Sequence, residues 1–476
     1  MELKKLLQGI KYKKAVFIDG AKQIGYIRYN SKRVKKGDIF VAIKGFRNDG
    51  NTFVPEALKN GAEVIVTENC YRCNFPCIEV EDARVSLSHL SANYFSHPSK
   101  KLNIVGITGT NGKTTTSFLV ASMFKQIAKT GIVGTTGYFY DGIKEEAFVT
   151  TPESLDLQRL FYDMSERGVS YVSLEVSAHG ITLRRLQDVD FKVKVFTNVS
   201  QDHLDFYKSL ENYAKAKISF FDKETKAVVN TDDRWGREIA KRTHIISYGF
   251  DKLCDIHPIS FVSNIHGIKA DIFTPDGKIF VNSPLIGEYN LYNIMACIGV
   301  GLCMDIDFAT IVRGISDLNG VSGRMEHLFS RGVNFFIDYA HTPNALSNAL
   351  SALKKIKKNR LIVVFGAGGN RDKKKRPLMG KAASDLSDLI VLTSDNPRSE
   401  DPQAIIDDIM YGIKDKEKVI VESDRKNAIK IAVDTAREGD IVLIAGKGHE
   451  TYQIIGEKKN PFDDREKLKE ILYDRL

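Results

Sequence analysis

Short apolar runs recur along the chain, and most of them stop at Gly, Asp or Asn. "LNIVGIT" (102–108), "YVSLEV" (171–176), "VKVFTNV" (193–199), "LIVVFGAGG" (361–369), "DLIVLTSDNP" (388–397), "KVIVESD" (418–424) and "DIVLIAGKG" (440–448) share this form. Runs with little polar alternation read as strands covered on both faces. Separated by helix-period segments, they predict parallel sheets. Loops rich in Gly, Asp and Asn then gather at the carboxyl edge, where open α/β sheets hold their ligands.

The first part of the chain follows a different rhythm. Short strands in "GDIFVAI" (37–43) and "AEVIVTE" (62–68) precede a helical stretch, "DARVSLSHLSANYF" (82–95). "SHPSKK" (96–101) then reads as a linker, because Pro98 disfavours helix before it. A third block opens near "SGRMEHL" (322–328). The expected fold class is therefore α/β in three domains. A small mixed α/β domain covers 1–98, a central mostly parallel sheet 99–321, and a Rossmann-like α/β domain 322–476.

Length and composition agree with this division. A chain of 476 residues exceeds one core and suggests roughly two to four domains. The 43% hydrophobic and 27% charged fractions are ordinary for a globular protein. Sixty-nine basic against 60 acidic side chains give +9. That suits anionic substrates but is no nucleic-acid footprint. The clusters "KKIKKNR" (354–360) and "RDKKKR" (371–376) read mainly as solvated charge. "MELKKLLQGIKYKK" lacks the apolar core of a signal peptide, and no stretch approaches a membrane span. Six cysteines in this length are no disulfide framework, so a reducing cytoplasm is expected. Cys70, Cys73 and Cys77 in "CYRCNFPC" have the spacing of half a metal site. A second ligand pair is missing nearby, and the sequence points away from zinc.

The strongest local signal is "GITGTNGKTTT" (106–116), a strand running into a glycine-rich turn and then a helix. Backbone N–H groups of Gly109, Thr110, Asn111 and Gly112 can converge on phosphate, aided by the helix N-terminus. Lys113 can reach the β/γ-phosphates, Thr114 can bind Mg²⁺ through its hydroxyl, and Thr115 follows on the same turn. The general pattern G-x-x-x-x-G-K-[ST] would put glycine where Ile107 stands. This is a variant of the P-loop. Glu175 and His203 stand where later strands stop, and either could add a metal ligand.

The form G-T-N-G-K-T-T resembles the Mur ligase family and the related folylpolyglutamate synthetases, which join an amino acid to a carboxylate through an acyl phosphate. The resemblance extends over essentially the whole chain. It implies ATP and Mg²⁺ as cofactors, with Thr114, Glu175, His203 and Lys217 as metal site and Lys113 on the phosphates. "ENYAKAKISFF" (211–221) is similar to a family segment whose lysine, here Lys217 rather than Lys215, is carbamylated by CO₂. Only a neutral amine reacts with CO₂, so burial must depress this lysine from about 10.4.

Further likenesses imply substrate contacts. "NSKRVKKGDIF" (30–40) carries over Ser31 as a uracil-nucleotide contact, although Asn30 and Lys32 replace the usual Asp and Arg, and the "FRNDG" turn (46–50) also fits. "TTPE" (150–153) and "EVSAHGITLRRL" (175–186) carry over Thr150, Thr151, Ser177 and Arg185 for the muramoyl dipeptide, with Arg184 adjacent. "GEYNLYNIMAC", "SGRMEHL" and "DYAHTP" carry over Asn290, Asn293, Arg324, Asp338 and His341 for ATP. Arg324 is expected at the triphosphate when the third block closes.

"GAGGNRDKKKRPLM", "SDNPRSEDP" and "AGKGHETYQ" imply an amino-acid pocket of Arg371, Asp395, Asn396, Pro397, Arg398, Gly446 and Glu450. Asn and Arg suit a carboxylate, whereas a glycine carbonyl and a Glu suit an ammonium. The partners implied are UDP-MurNAc-L-Ala-D-Glu and a diamino diacid such as meso-diaminopimelate, joined by a cytoplasmic monomer making peptidoglycan precursors. Meso-lanthionine presents the same distal group. The rivals are a folylpolyglutamate-type ligase with another acceptor, a P-loop ATPase coupled to a partner, and a silent binding protein.

Overall fold

A computed structural model describes residues 1–45, 48–70 and 73–473. The chain divides into two compact units, Met1–Gly106 with Ala128–Lys194, and Ile107–Ile127 with Val195–Leu476. The boundary falls within two strands, Asn103–Thr108 and Phe191–Phe196. Each unit is described by itself.

In the first unit, a five-stranded sheet has the order Tyr12–Val16, Cys77–Val80, Val64–Thr67, Ile39–Val41, Ile27–Arg28. Its outer pair, at Tyr12–Val16, is antiparallel and the rest is parallel. Period-two geometry explains why "IFVA" is apolar throughout. Ile39 and Val41 pack with Val66, Ile78, Leu87 and Leu90, and Phe40 and Ala42 pack with Ile65 and Ala57. Leu87 and Leu90 project from the helix Ala83–Tyr94, whose first N–H groups are capped by Asp82. The 96–101 segment is not a plain linker. His97 takes a left-handed conformation, and Pro98–Lys101 form a 3₁₀ turn with Pro98 and Ser99 buried. A disulfide joins Cys70 and Cys77, a pairing that the cysteine count did not anticipate. Later in the unit, Tyr171–Val176 pairs in parallel with Thr130–Gly134, which continues into antiparallel Gly137–Tyr140 and Ile143–Glu145.

The second unit carries the larger set of α/β layers. Lys226–Asn230 runs parallel to Ile245–Tyr248. A six-stranded sheet has the order Glu326–Ser330, Val333–Asp338, Ile441–Ala445, Leu361–Phe365, Leu389–Leu392, Val419–Val421. All but the first pairing are parallel. Both faces are covered, one by Leu346, Leu350, Met379 and Ile406, the other by Ile429, Val433 and Leu468. The register is level at the carboxyl ends, with Asp338 opposite Ala445, Val364 opposite Ile444 and Phe365 opposite Leu392. The three loops carrying 366–371, 393–398 and 446–450 therefore leave one edge.

Two features were not anticipated from the sequence. His257–Asn264, Gly267–Thr274 and Gly277–Ser283 form an antiparallel meander, for which "TPDG" is a turn signal. Tyr452–Ile455 and Lys458–Pro461 form a hairpin.

Candidate functional site

The glycine-rich turn takes shapes that only glycine fits. Gly109 has φ +153°, and a Cβ there would meet Thr197 Oγ1 at 1.8 Å. Gly112 has φ +86°, and its Cβ would meet Asn293 Oδ1 at 2.5 Å. The helix Lys113–Phe124 begins at once, with Thr114, Thr115 and Thr116 buried in its first turn. Asn198 Oδ1 accepts from Asn111 N at 3.0 Å, fixing the turn from the neighbouring loop. Lys113 Nζ donates to the carbonyls of Gly109 and Thr110, both at 3.0 Å.

Lys217 sits beneath the same turn. The helix Leu210–Ile218 buries Tyr213, Ala214, Lys217 and Ile218 on one face, while Lys215 is exposed. Lys217 Nζ donates to Gly109 O at 2.8 Å and lies 4.6 Å from the centre of the Tyr213 ring. Burial, and then the charge of Lys113, hold its amine far below the usual lysine range, against the pull of Asp202. A buried amine poised to be neutral is the chemical requirement for reaction with CO₂.

His203 is the left-handed residue ahead of the turn Leu204–Tyr207, 6.0 Å from the Tyr213 ring. Desolvation lowers its pKa. Asp202 opposes this, while Lys217 and Lys113 add to the lowering. Asp202 was not singled out in the sequence. Its carboxyl is kept low, against burial, by His203, His341 and Lys375, and its place beside His203 was the available signal.

A cavity of about 520 Å³ adjoins the turn, lined among others by Asn111, Gly112, Tyr289, Asn293 and Ala352. Asn293 Nδ2 donates to Asn290 Oδ1 at 2.7 Å, and Asn293 Oδ1 accepts from Thr116 at 3.1 Å. Arg324 reaches this region from the third block. Its Nη2 donates to Thr114 Oγ1 at 3.0 Å, and its guanidinium lies 4.6 Å from the Tyr339 ring centre. Asp338 accepts from the Met325 and Ala340 N–H groups and so fixes the Arg324 segment. Burial raises its pKa, opposed by Arg324. His341 Nδ1 lies 2.8 Å from Tyr339 O. Burial and then the nearby Lys375 charge lower its pKa to about 4.

At the edge of the six-stranded sheet, the turn after Leu392 carries Asn396 and Arg398. Arg398 has φ +55°. Its N–H donates to Ile454 O at 3.0 Å, and its own carbonyl accepts from Gly456 at 2.7 Å, so the hairpin clasps it. Its Nη1 donates to Gly369 O at 2.8 Å. Desolvation and then Arg371 lower its pKa, the mark of two like charges held close. Arg371 itself is exposed. Asn396 Nδ2 donates to Glu450 Oε2 at 2.9 Å, and the Pro397 carbonyl lies against Gly369. Burial and then Asp395 push the Glu450 carboxyl above its ordinary range. Gly446, at φ +116°, lets the Asp395 carboxylate approach to where a Cβ would stand 2.5 Å away. Asp395 Oδ2 is buried without a hydrogen-bond partner. Lys447, fully buried, donates to both Asn396 Oδ1 and Glu450 Oε2 at 3.2 Å. It lay unmarked inside "AGKGHE".

In the first unit, Glu175 is buried and accepts from Thr135 N at 3.0 Å and Thr135 Oγ1 at 2.9 Å. Thr151 Oγ1 donates to Glu175 O, and Ser177 N donates to Thr151 Oγ1, both at 2.9 Å. Thr150 Oγ1 lies 3.1 Å from Thr135 Oγ1. Arg185 Nη1 donates to Thr151 O at 2.8 Å, whereas Arg184 is exposed. The structure thus brings four predicted dipeptide residues together with Glu175. Ser31 is buried in the first-block sheet region and hydrogen-bonds Glu56. Of "FRNDG", Phe46 and Arg47 lie outside the described residues, and Asp49 caps the turn Gly50–Phe53.

Three family models match the chain: "Mur ligase family, catalytic domain" over 23–94, "Mur ligase middle domain" over 107–301, and "Mur ligase, glutamate ligase domain" over 323–448. A UDP-N-acetylmuramoyl-L-alanyl-D-glutamate–2,6-diaminopimelate ligase of Clostridium botulinum is 40% identical, with all of both chains covered. The chain belongs to the Mur ligase family. A Mur ligase of the same name from Aquifex aeolicus is 44% identical over 95% of this chain and 94% of its own. A solved Mur ligase of that name superposes with a TM-score of 0.71 at 32% identity, covering 100% of this chain and 99% of its own. A MurF ligase from Thermotoga maritima in complex with ADP shares the fold, with a TM-score of 0.68 at 21% identity over 96% and 100%.

Proposed function

We propose that the chain is a cytoplasmic, monomeric ATP-dependent ligase that adds meso-diaminopimelate, or a diamino diacid with the same distal group, to UDP-MurNAc-L-Ala-D-Glu. Full-length relatives bear the name of that reaction. The observation that carries the choice of amine is the Arg398 site. Two guanidiniums, Arg371 and Arg398, are held close beside a carboxyl, Glu450, that burial makes ready for a cation. An amino-acid end, with one carboxylate and one ammonium, satisfies both halves. L-Lysine lacks the distal carboxylate and would leave Arg398 without it.

In this reading ATP lies along the turn 109–115 and the adjoining cavity, with Asn290, Asn293, Arg324, Asp338 and His341 around it. The donor set suits Mg²⁺. Thr114 offers a hydroxyl and His203 an imidazole held neutral, and carbamylation would turn the buried Lys217 amine into an anionic oxygen ligand. Glu175 is assigned to the metal on its motif alone. Bound Mg²⁺ would offset charge on the transferring phosphoryl group. Lys113 and Arg324 supply fixed positive charge at the phosphates. Thr150, Thr151, Ser177 and Arg185 bind the dipeptide and Ser31 the uridine end, and the acceptor amine displaces phosphate from the activated γ-carboxyl. The domains assigned are 1–98 for UDP, 99–321 for ATP and 322–476 for the amino acid.

Phosphate release measured with the UDP-dipeptide and a panel of diaminopimelate, meso-lanthionine and L-lysine tests this. Release should require both the dipeptide and a diamino diacid. Release without either substrate would favour an ATPase, and equal or better use of L-lysine would sink the specificity.

A further inference from the structure

Cys70, Cys73 and Cys77 take no part in the reaction above, yet the fold gathers them. Cys70 lies shortly after the strand Val64–Thr67, and Cys77 opens the neighbouring parallel strand, opposite Ile65. The three sulfur atoms all lie within 4.8 Å of one another. Cys70 and Cys77 are buried, and Cys73 is half-buried. The disulfide uses two of these sulfurs and leaves the third, a free thiol, beside the pair. A pairing of two cysteines does not account for three converging.

A cation does account for them. Zn²⁺ binds thiolates at about 2.3 Å in tetrahedral geometry, which sets the sulfurs roughly 3.8 Å apart. The spacing Cys-x₂-Cys-x₃-Cys lets one short loop supply all three. Three thiolates on a divalent cation carry one net negative charge; in the metal-free protein burial raises the Cys73 thiol's pKa, and Lys14 only partly opposes it.

We propose that, in the reduced protein, Cys70, Cys73 and Cys77 form a tri-thiolate site for Zn²⁺, with the fourth position left to solvent. Reduction of the Cys70–Cys77 bond by a dithiol takes two electrons and two protons and gives two thiols. Metal binding then releases one proton from each ligating thiol. The site would tie the loop after Val64–Thr67 to the strand Cys77–Val80, a structural role apart from the ligase chemistry.

The test uses the full chain, reduced with a phosphine, freed of metal and titrated with Co²⁺ without oxygen. One Co²⁺ per chain should bind with a thiolate-to-cobalt charge-transfer band in the near ultraviolet, and Zn²⁺ should displace it. Cobalt bound through oxygen and nitrogen alone gives no such band, so the proposed magnesium site does not interfere. Cys73→Ser, at the half-buried position, should weaken cobalt binding about tenfold or more, with amide chemistry unchanged. Absence of the band from the reduced protein would overturn the site. So would a band of unchanged affinity in Cys73→Ser.

Discussion

The phosphate-loop cluster and the pocket at the edge of the six-stranded sheet both enclose basic side chains, but they partner them differently. Around Gly109, Lys113 and Lys217 rest on backbone carbonyls. Around Asn396, two fully buried cations have carboxylate partners. Lys447 pairs with Glu450 at 3.2 Å, and Arg425 with Asp464 at 2.8 Å. The first arrangement suits a polyanion and a chemical change to Lys217 itself. The second fixes a shape in advance and leaves Arg398, beside Arg371, to meet a new carboxylate. One region is built to receive charge, the other to measure it.

The comparison breaks hardest where a buried pair is split. Arg425→Ala strands the Asp464 carboxylate, and unfolding in denaturant should show a loss of about 3–5 kcal/mol. Lys217→Ala should leave stability nearly intact yet lower kcat by on the order of 10²–10³, read as phosphate release. Unchanged activity would remove Lys217 from the site. Arg398→Ala should raise KM for diaminopimelate on the order of 10²-fold, with KM for ATP unmoved. If both constants rise together, the two regions are not separate. Gly112→Ala forces a side chain into a left-handed position against Asn293, which costs about 1–2 kcal/mol. A roughly tenfold weaker ATP affinity by calorimetry should follow.

The smallest effect concerns pH. His341 has its folded pKa lowered to about 4 from 6.5, so between these values the unfolded chain binds more protons. Stability is full above pH 6.5 and falls as pH drops toward 4. Denaturant unfolding at pH 7 and pH 5 should show the fall, and His341→Gln should flatten it.

Much of this was legible because spacing carries physical meaning. Lys217 was marked over Lys215 by the family resemblance, and the structure shows why the two differ: Lys217 shares a buried helix face with Tyr213, Ala214 and Ile218, while Lys215 stays in water. The uninterrupted runs ending at Phe365, Leu392 and Ala445 announced a buried parallel sheet with loops at one edge. Arg425 and Asp464 are 39 residues apart, and nothing local to either marks a pair that only the tertiary fold creates. Lys447 reads as a surface lysine until the strand before it is seen to end inside the pocket. The meander at 257–283 was missed because its polar alternation lacks the long apolar runs that marked the other strands. The linker expected at 96–101 packs instead, because Pro98 and Ser99 find cover.

The hairpin Tyr452–Ile455/Lys458–Pro461 holds Arg398 by its main chain, through Ile454 O and Gly456 N. It is a splint: those backbone bonds set where the guanidinium starts from. Shortening or lengthening it by a residue would shift the arginine's reach with every pocket side chain kept. A change in the accepted amine would then begin in the length of a backbone turn.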